Sequence, residues 1–232
     1  MSRAPKYWAV VPAAGIGRRM GGSHPKQYQS MCGKSILEHT LDKLLSVCAI
    51  EKVVVALSPG DAYWPALACR HHPKIVSVAG GDERADSVLN ALQYLLAEAA
   101  EDDWVLVHDA ARPCVRVHDI ETLIQRAGAA GAILATPLSD TVKQVSDQAI
   151  TATLDRSQLW AAQTPQMFPL RALHDALQSA LDKQLQVTDE ASAMELAGWR
   201  PAVVPAGRDN IKVTHPQDLV LAELILTQQL EG

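Results

Sequence analysis

No Cys-x-x-Cys pair, no His-Glu-x-x-His and no long apolar run occurs in the 232 residues of this chain. Cys32, Cys48, Cys69 and Cys114 are scattered, and no histidine stands at zinc-finger spacing from them, so a zinc site is not expected. Scattered thiols read as reduced and mostly buried, the usage of a cytoplasmic protein. His71 and His72 are adjacent and would not share one face of a helix or strand. No apolar stretch approaches the ~20 residues of a membrane span. The apolar run in "MSRAPKYWAVVP" is too short for a signal peptide. A cationic excess is missing too: the formal net charge is −5, which argues against a general nucleic-acid binder. Internal repeats and low-complexity tracts are absent. What remains, 48% apolar and 20% charged, suits a soluble enzyme, and the length suits one domain over 1–232.

Short apolar runs alternate with helix-like ones. "YWAVVP" (7–12), "KVVVAL" (52–57), "IVSVA" (75–79), "WVLVH" (104–108), "AILAT" (132–136) and "AVVP" (202–205) read as strands buried on both faces. Between them, 35–47, 82–99, 118–130, 169–181 and 188–197 read as helices, and 216–230 closes the chain with Pro216 at a favourable first position. In 82–99, Val88, Leu89, Leu92, Leu95 and Leu96 make one apolar stripe. The alternation predicts an α/β fold: a Rossmann-like, doubly wound, mostly parallel sheet flanked by helices, with ligands at the carboxyl ends of the strands. The polar stretch 137–160 breaks the pattern. It reads as a protruding β-hairpin arm turning around Ser146-Asp147-Gln148. A lone hairpin is marginal in water, so a second subunit is its natural support.

After the first strand, "PAAGIGRRMGGSHPKQY" has the ingredients of a phosphate site. It fails the dinucleotide fingerprint, because Met20 stands where the third glycine belongs, and it fails the Walker A pattern, because Ser23 stands where lysine belongs. The small Ala13, Ala14 and Gly15 let backbone N–H groups approach a ligand closely, and Arg18, Arg19 and Lys26 supply cations. In "GGDERADS", Asp82 is a candidate N-cap, and Arg84 and Ser87 lie beside the apolar stripe, able to face a cleft. In "VHDAARP", Asp109 stands just beyond a strand, placed to hold magnesium or orient hydroxyls. Arg112 could bind an acceptor phosphate or pair with Asp109, and both alternatives stay open.

The loop, with "SPGD" (58–61), "GGDERADSVLNAL" (80–92), "VLVHDAARPCV" (105–115), "DTVKQV" (140–145), "LDRSQLWAAQTPQMF" (154–168), "TDEASAME" (188–195) and "DNIKVTHPQDL" (209–219), resembles the 2-C-methyl-D-erythritol 4-phosphate cytidylyltransferases of the non-mevalonate isoprenoid pathway. The resemblance implies cytidylyl transfer from CTP to 2-C-methyl-D-erythritol 4-phosphate, giving 4-diphosphocytidyl-2-C-methyl-D-erythritol and pyrophosphate, helped by Mg²⁺ that Asp109 could ligate. It gives Arg19 and Lys26 the triphosphate, and Ala13, Ala14, Gly15, Gly81, Asp82 and Ser87 the nucleotide. The acceptor falls to Asp109, Arg112, Thr141 and Thr164, with Arg156 and Lys212 positioning its phosphate. It also implies a homodimer in which the 137–160 arm brings Thr141 and Arg156 to the neighbour's site. Because the chain ends after Leu230, the fused cyclodiphosphate synthase domain of bifunctional relatives is not expected. Ribitol 5-phosphate or another polyol phosphate is the alternative acceptor; an NAD-dependent oxidoreductase and a non-catalytic nucleotide binder are the rival classes.

Overall fold

A computed structural model describes residues 3–15 and 25–231, so Arg18 and Arg19 lie outside the described residues. The first strand, β1 (Tyr7–Pro12), shows why the sheet forms. Ala9 and Val11 bury on one face and Trp8 and Val10 on the other, because successive side chains of a strand point to opposite sides. A strand apolar on both faces belongs in the middle of a layered domain. A 3-10 turn (Lys26–Tyr28) and the two-residue strands β2 (Ser30–Met31) and β3 (Lys34–Ser35) follow. α1 (Ile36–Leu45) starts at Ser35, whose hydroxyl accepts the Glu38 N–H while the Glu38 carboxylate accepts the Ser35 N–H. Such a cap stabilises by about 1 kcal/mol.

Next come β4 (Ile50–Leu57), β5 (Ile75–Ala79), α2 (Arg84–Glu98), β6 (Trp104–Val107), α3 (Val117–Arg126) and β7 (Ala132–Pro137). β8 (Val142–Ser146) and β9 (Ala149–Leu154) form the hairpin, and β10 (Trp160–Pro169) re-enters the sheet. α4 (Leu170–Asp182), α5 (Glu190–Leu196), β11 (Ala202–Pro205) and α6 (Pro216–Glu231) complete the chain. The sheet order is β11-β7-β10-β6-β1-β4-β5. Neighbouring strands are parallel except for β10, which is antiparallel to both β6 and β7. Leu37 and Leu41 of α1 and Ile120 and Leu123 of α3 cover one face; α2, α4 and α5 cover the other with Leu92, Leu95, Leu173, Leu177 and Met194. Burying each such side chain stabilises by about 1.5–3 kcal/mol. A smaller cluster joins Ala222 and Leu226 of α6 to Ala111, Cys114 and Val213, which fastens the two loops carrying Asp109–Arg112 and Lys212. No described helix is long and apolar enough to cross a membrane.

The doubly wound, mostly parallel sheet is as the sequence implies, with three local corrections. β10 is a strand that the apolar pattern does not announce. Its "QTPQ" core is polar, and Pro165 has no N–H for the ladder, so the register with β7 shifts between Ala162 and Gln166. α3 stops at Arg126, short of the expected 130. Gly131, at φ +81°, follows; a Cβ there would lie 2.3 Å from the Phe168 ring, so only glycine fits. Third, the N-cap of α2 is Glu83, not Asp82, with Asp86 completing the reciprocal cap. The hairpin turns where expected, with Asp147 and Gln148 at φ +49° and +64°, as a two-residue hairpin turn requires. Val145 and Ile150 remain 55% and 65% exposed, so the arm buries little within one chain.

Candidate active site

At the carboxyl ends of the parallel strands lies a cleft of about 610 Å³. One wall is the segment after β1. Ala13 N–H donates to Ala56 O (2.8 Å), while Ala13 O accepts from Gln27 Nε2 (2.8 Å) and Ala14 O from the Ser58 hydroxyl (2.6 Å). The facing wall is Gly81–Arg84. The two segments touch at Gly80, where a Cβ would fall 2.6 Å from Ala14 Cβ, so they can approach this closely only with glycine there. Ser87 is buried. Its hydroxyl accepts the Gly81 N–H (3.0 Å) and donates to Glu83 O (3.2 Å), so it shapes the wall that Asp82 lines.

The floor carries the charge. Asp109 follows β6 and is almost wholly buried, with Arg84 Nε 3.0 Å from its Oδ1 and Arg112 Nε (3.3 Å) and Lys212 Nζ (2.9 Å) on Oδ2. Arg84 is forked onto Glu190 at the start of α5 (2.6 and 3.1 Å), and Arg112 donates to Asn210 O (2.7 Å). Three cations facing two carboxylates leave one net positive charge here, within a chain whose overall charge is negative. Burial alone would raise the Asp109 pKa, but Arg84, Lys212 and Arg112 outweigh it and hold the carboxyl far below its usual range. Burial likewise disfavours charge on Arg84, and Glu190 and Asp109 more than restore it. Lys26 also lines the cleft, its Nζ donating to Val213 O at 3.3 Å, one residue from Lys212. Small backbone walls over a cationic floor suit a polyphosphate.

The 2-C-methyl-D-erythritol 4-phosphate cytidylyltransferase (IspD) family model matches residues 7–228. The chain belongs to that family. A member from Vibrio vulnificus is 54% identical over 224 residues, covering 95% of this chain and 94% of the relative. One from Hahella chejuensis is 48% identical over 229 residues, covering 97% and 95%. A crystal structure of a 4-diphosphocytidyl-2C-methyl-D-erythritol synthase superposes with a TM-score of 0.85 at 40% identity, covering 97% of this chain and all of the other.

The cytidylyltransferase cleft brings together Ala13, Ala14, Gly15, Lys26, Gly81, Asp82, Ser87, Asp109 and Lys212. Of the two alternatives for Arg112, the observed one is pairing with Asp109. Thr164 is buried behind the floor, its hydroxyl accepting the Asp109 N–H (3.0 Å), and does not line the cleft. Thr141 and Arg156 stand exposed at the base of the arm, outside the cleft; Arg156 donates to Ser139 O (2.5 Å). Sequence reasoning missed Glu190, Gln27 and Asn210. Glu190 lies within "TDEASAME", yet nothing local says that it meets Arg84 from 106 positions away.

Among the described residues, no three His, Cys, Asp or Glu side chains converge to hold a metal. Asp109 is a single carboxylate with a cation on each oxygen. That donor set fits a hard ion arriving with a polyphosphate and taking one protein carboxylate, and it does not fit a resident metal centre.

Proposed function

We propose that this chain transfers a cytidylyl group from CTP to 2-C-methyl-D-erythritol 4-phosphate, the acceptor in its family's name, giving 4-diphosphocytidyl-2-C-methyl-D-erythritol and pyrophosphate. The observation that carries this reading is the convergence of Lys26, Lys212 and the Asp109 cluster on one cleft walled by Ala13–Gly15 and Gly81–Asp82. A phosphate oxygen of the acceptor bonds to the α-phosphorus as the bond to the pyrophosphate oxygen breaks. A phosphate monoester has its second pKa near about 6, so the nucleophile is already ionised and needs no general base. The barrier is set by bringing two polyanions together and by charge growing in the transition state, which fixed cations relieve.

Lys26 and Arg19 serve the triphosphate, while Ala13–Gly15, Gly81, Asp82 and Ser87 form the nucleotide site. Lys212 exchanges Asp109 for the acceptor phosphate, because Arg84 and Arg112 already neutralise that carboxylate and are themselves anchored by Glu190 and Asn210. Asp109 would hold Mg²⁺ together with the nucleotide's phosphates; the ion supplies charge neutralisation on the triphosphate. Arg112 and Thr164 keep Asp109 in place. The arm pairs two copies, and its Thr141 and Arg156 complete the acceptor half of the neighbour's cleft.

Pyrophosphate release from CTP and magnesium, measured with each acceptor in turn, tests the substrate. Release with 2-C-methyl-D-erythritol 4-phosphate and little with ribitol 5-phosphate is expected. Turnover of ribitol 5-phosphate alone would overturn the acceptor. The family names of the relatives favour methylerythritol phosphate over that alternative.

A further inference from the structure

His108 is fully buried beneath the cleft floor, and no role in binding either substrate reaches it. Its ring nevertheless closes a circuit around the turn that carries Asp109 and Arg112. Nε2 lies 3.1 Å from Arg112 O, and Nδ1 lies 3.0 Å from the Thr164 hydroxyl. That hydroxyl takes the Asp109 N–H at 3.0 Å, and the Arg112 N–H donates to Asp109 O at 3.1 Å.

The donors in this circuit can be assigned by elimination. A carbonyl oxygen only accepts, so Nε2 must carry the hydrogen. The Thr164 hydroxyl then donates its own proton to the bare Nδ1 and accepts from Asp109. An imidazolium would leave the Thr164 proton with no acceptor in the circuit, and the Nδ1–H tautomer would set a lone pair against Arg112 O. With the Nε2–H form each donor meets one acceptor, and the bonds run in a single direction around the turn, an arrangement in which they reinforce one another.

We propose that His108, as the neutral Nε2–H tautomer, is a positioning residue that with Thr164 fixes the Asp109–Arg112 turn and, through Asp109, the resting place of Lys212. The inference rests on the role given to Asp109 above. His108 touches neither substrate; it acts by holding the carboxylate that indexes the cleft's cations, and displacement of such a group by about 1 Å can cost on the order of 100-fold in rate.

Two measurements test it. In the ¹⁵N-labelled full-length protein, imidazole spectra assigned with His108→Phe should show hydrogen on Nε2 alone at neutral pH; hydrogen on Nδ1 overturns the proposal. In steady-state assays, His108→Phe should lower kcat by on the order of 100-fold with the KM for CTP nearly unchanged. His108→Gln, which keeps a donor for Arg112 O, should recover part of that loss. A merely structural role would lower the active fraction and the melting temperature without the partial rescue tracking the donor. If His108→Phe does not fold, Thr164→Val takes its place: it should lose kcat in the same way, and Thr164→Ser should lose less. Asp109→Asn separates the two readings. If it turns over normally, the role of Asp109 and this inference fall together. If it is impaired while His108→Phe turns over normally, only this inference falls.

Discussion

Two sets of basic side chains in this molecule are built in opposite ways. Arg84 and Arg112 on the cleft floor are locked, one by a fork onto Glu190 and the other by Asp109 and Asn210 O, and both are largely withdrawn from water. Arg156 at the base of the arm stands exposed, donating to the Ser139 carbonyl, on a hairpin whose Val145 and Ile150 are exposed. The floor is preorganised, so its charges cost no rearrangement when the transition state forms. The arm supplies charge with almost no local support. One chain thus fixes the cations of the cleft floor and leaves Arg156 on an exposed surface.

The largest effect should come from the two lysines that line the cleft. Lys26→Ala and Lys212→Ala are each expected to reduce turnover by about 10²–10³-fold, with the melting temperature unchanged. At saturating CTP, Lys212→Ala should act chiefly through use of the acceptor, and steady-state kinetics in both substrates would show the split. Equal loss for both substrates would erase the division of labour between these lysines.

A smaller effect concerns the floor's stability. Burial pulls the His108 imidazole from its ordinary 6.5 down to about 4, so between those values the unfolded chain binds a proton that the folded chain refuses. Stability therefore rises with pH through that window and is lost as pH falls through it, by about 3 kcal/mol in all. Asp109 acts lower: its carboxyl is depressed in the fold, so its contribution is present above the ordinary carboxylate pKa and fades below it. Urea unfolding of native protein and His108→Phe between pH 7 and pH 4 checks this, the slope shrinking in the variant. An unchanged slope would mean that His108 is not the group responsible.

The smallest effect belongs to the arm. Ile150→Ser should change the unfolding free energy of the single chain by no more than about 0.5 kcal/mol, because Ile150 is already exposed. If the arm pairs two copies, the same change weakens their association, which sedimentation at falling concentration would detect.

Much of the fold was legible because strands buried on both faces leave unbroken apolar runs: β1, β5 and β11 coincide with their sequence segments. β10 was not legible, since Gln163, Thr164 and Gln166 are buried polar residues whose partners come from distant segments such as Asn210, Asp109 and Asp189. The cleft residues lay in motifs and could be named, but their linkage could not. Whether Arg112 faced a ligand or Asp109 depends on Asn210, 98 positions away. Glu190 and His108 act through hydrogen bonds across the fold, and such partners leave no local periodicity.

The proposed sharing of the site, with the floor made by one chain and the arm lent by another, can be tested by mixing two inactive proteins, Lys26→Ala and Arg156→Ala, after dissociation and reassembly. If Arg156 serves the neighbour's cleft, each mixed dimer has one site with both changes and one with neither. Random pairing into two-fold dimers should then restore about one quarter of native CTP-dependent turnover of 2-C-methyl-D-erythritol 4-phosphate. A mixture as inactive as its components would contradict the shared site.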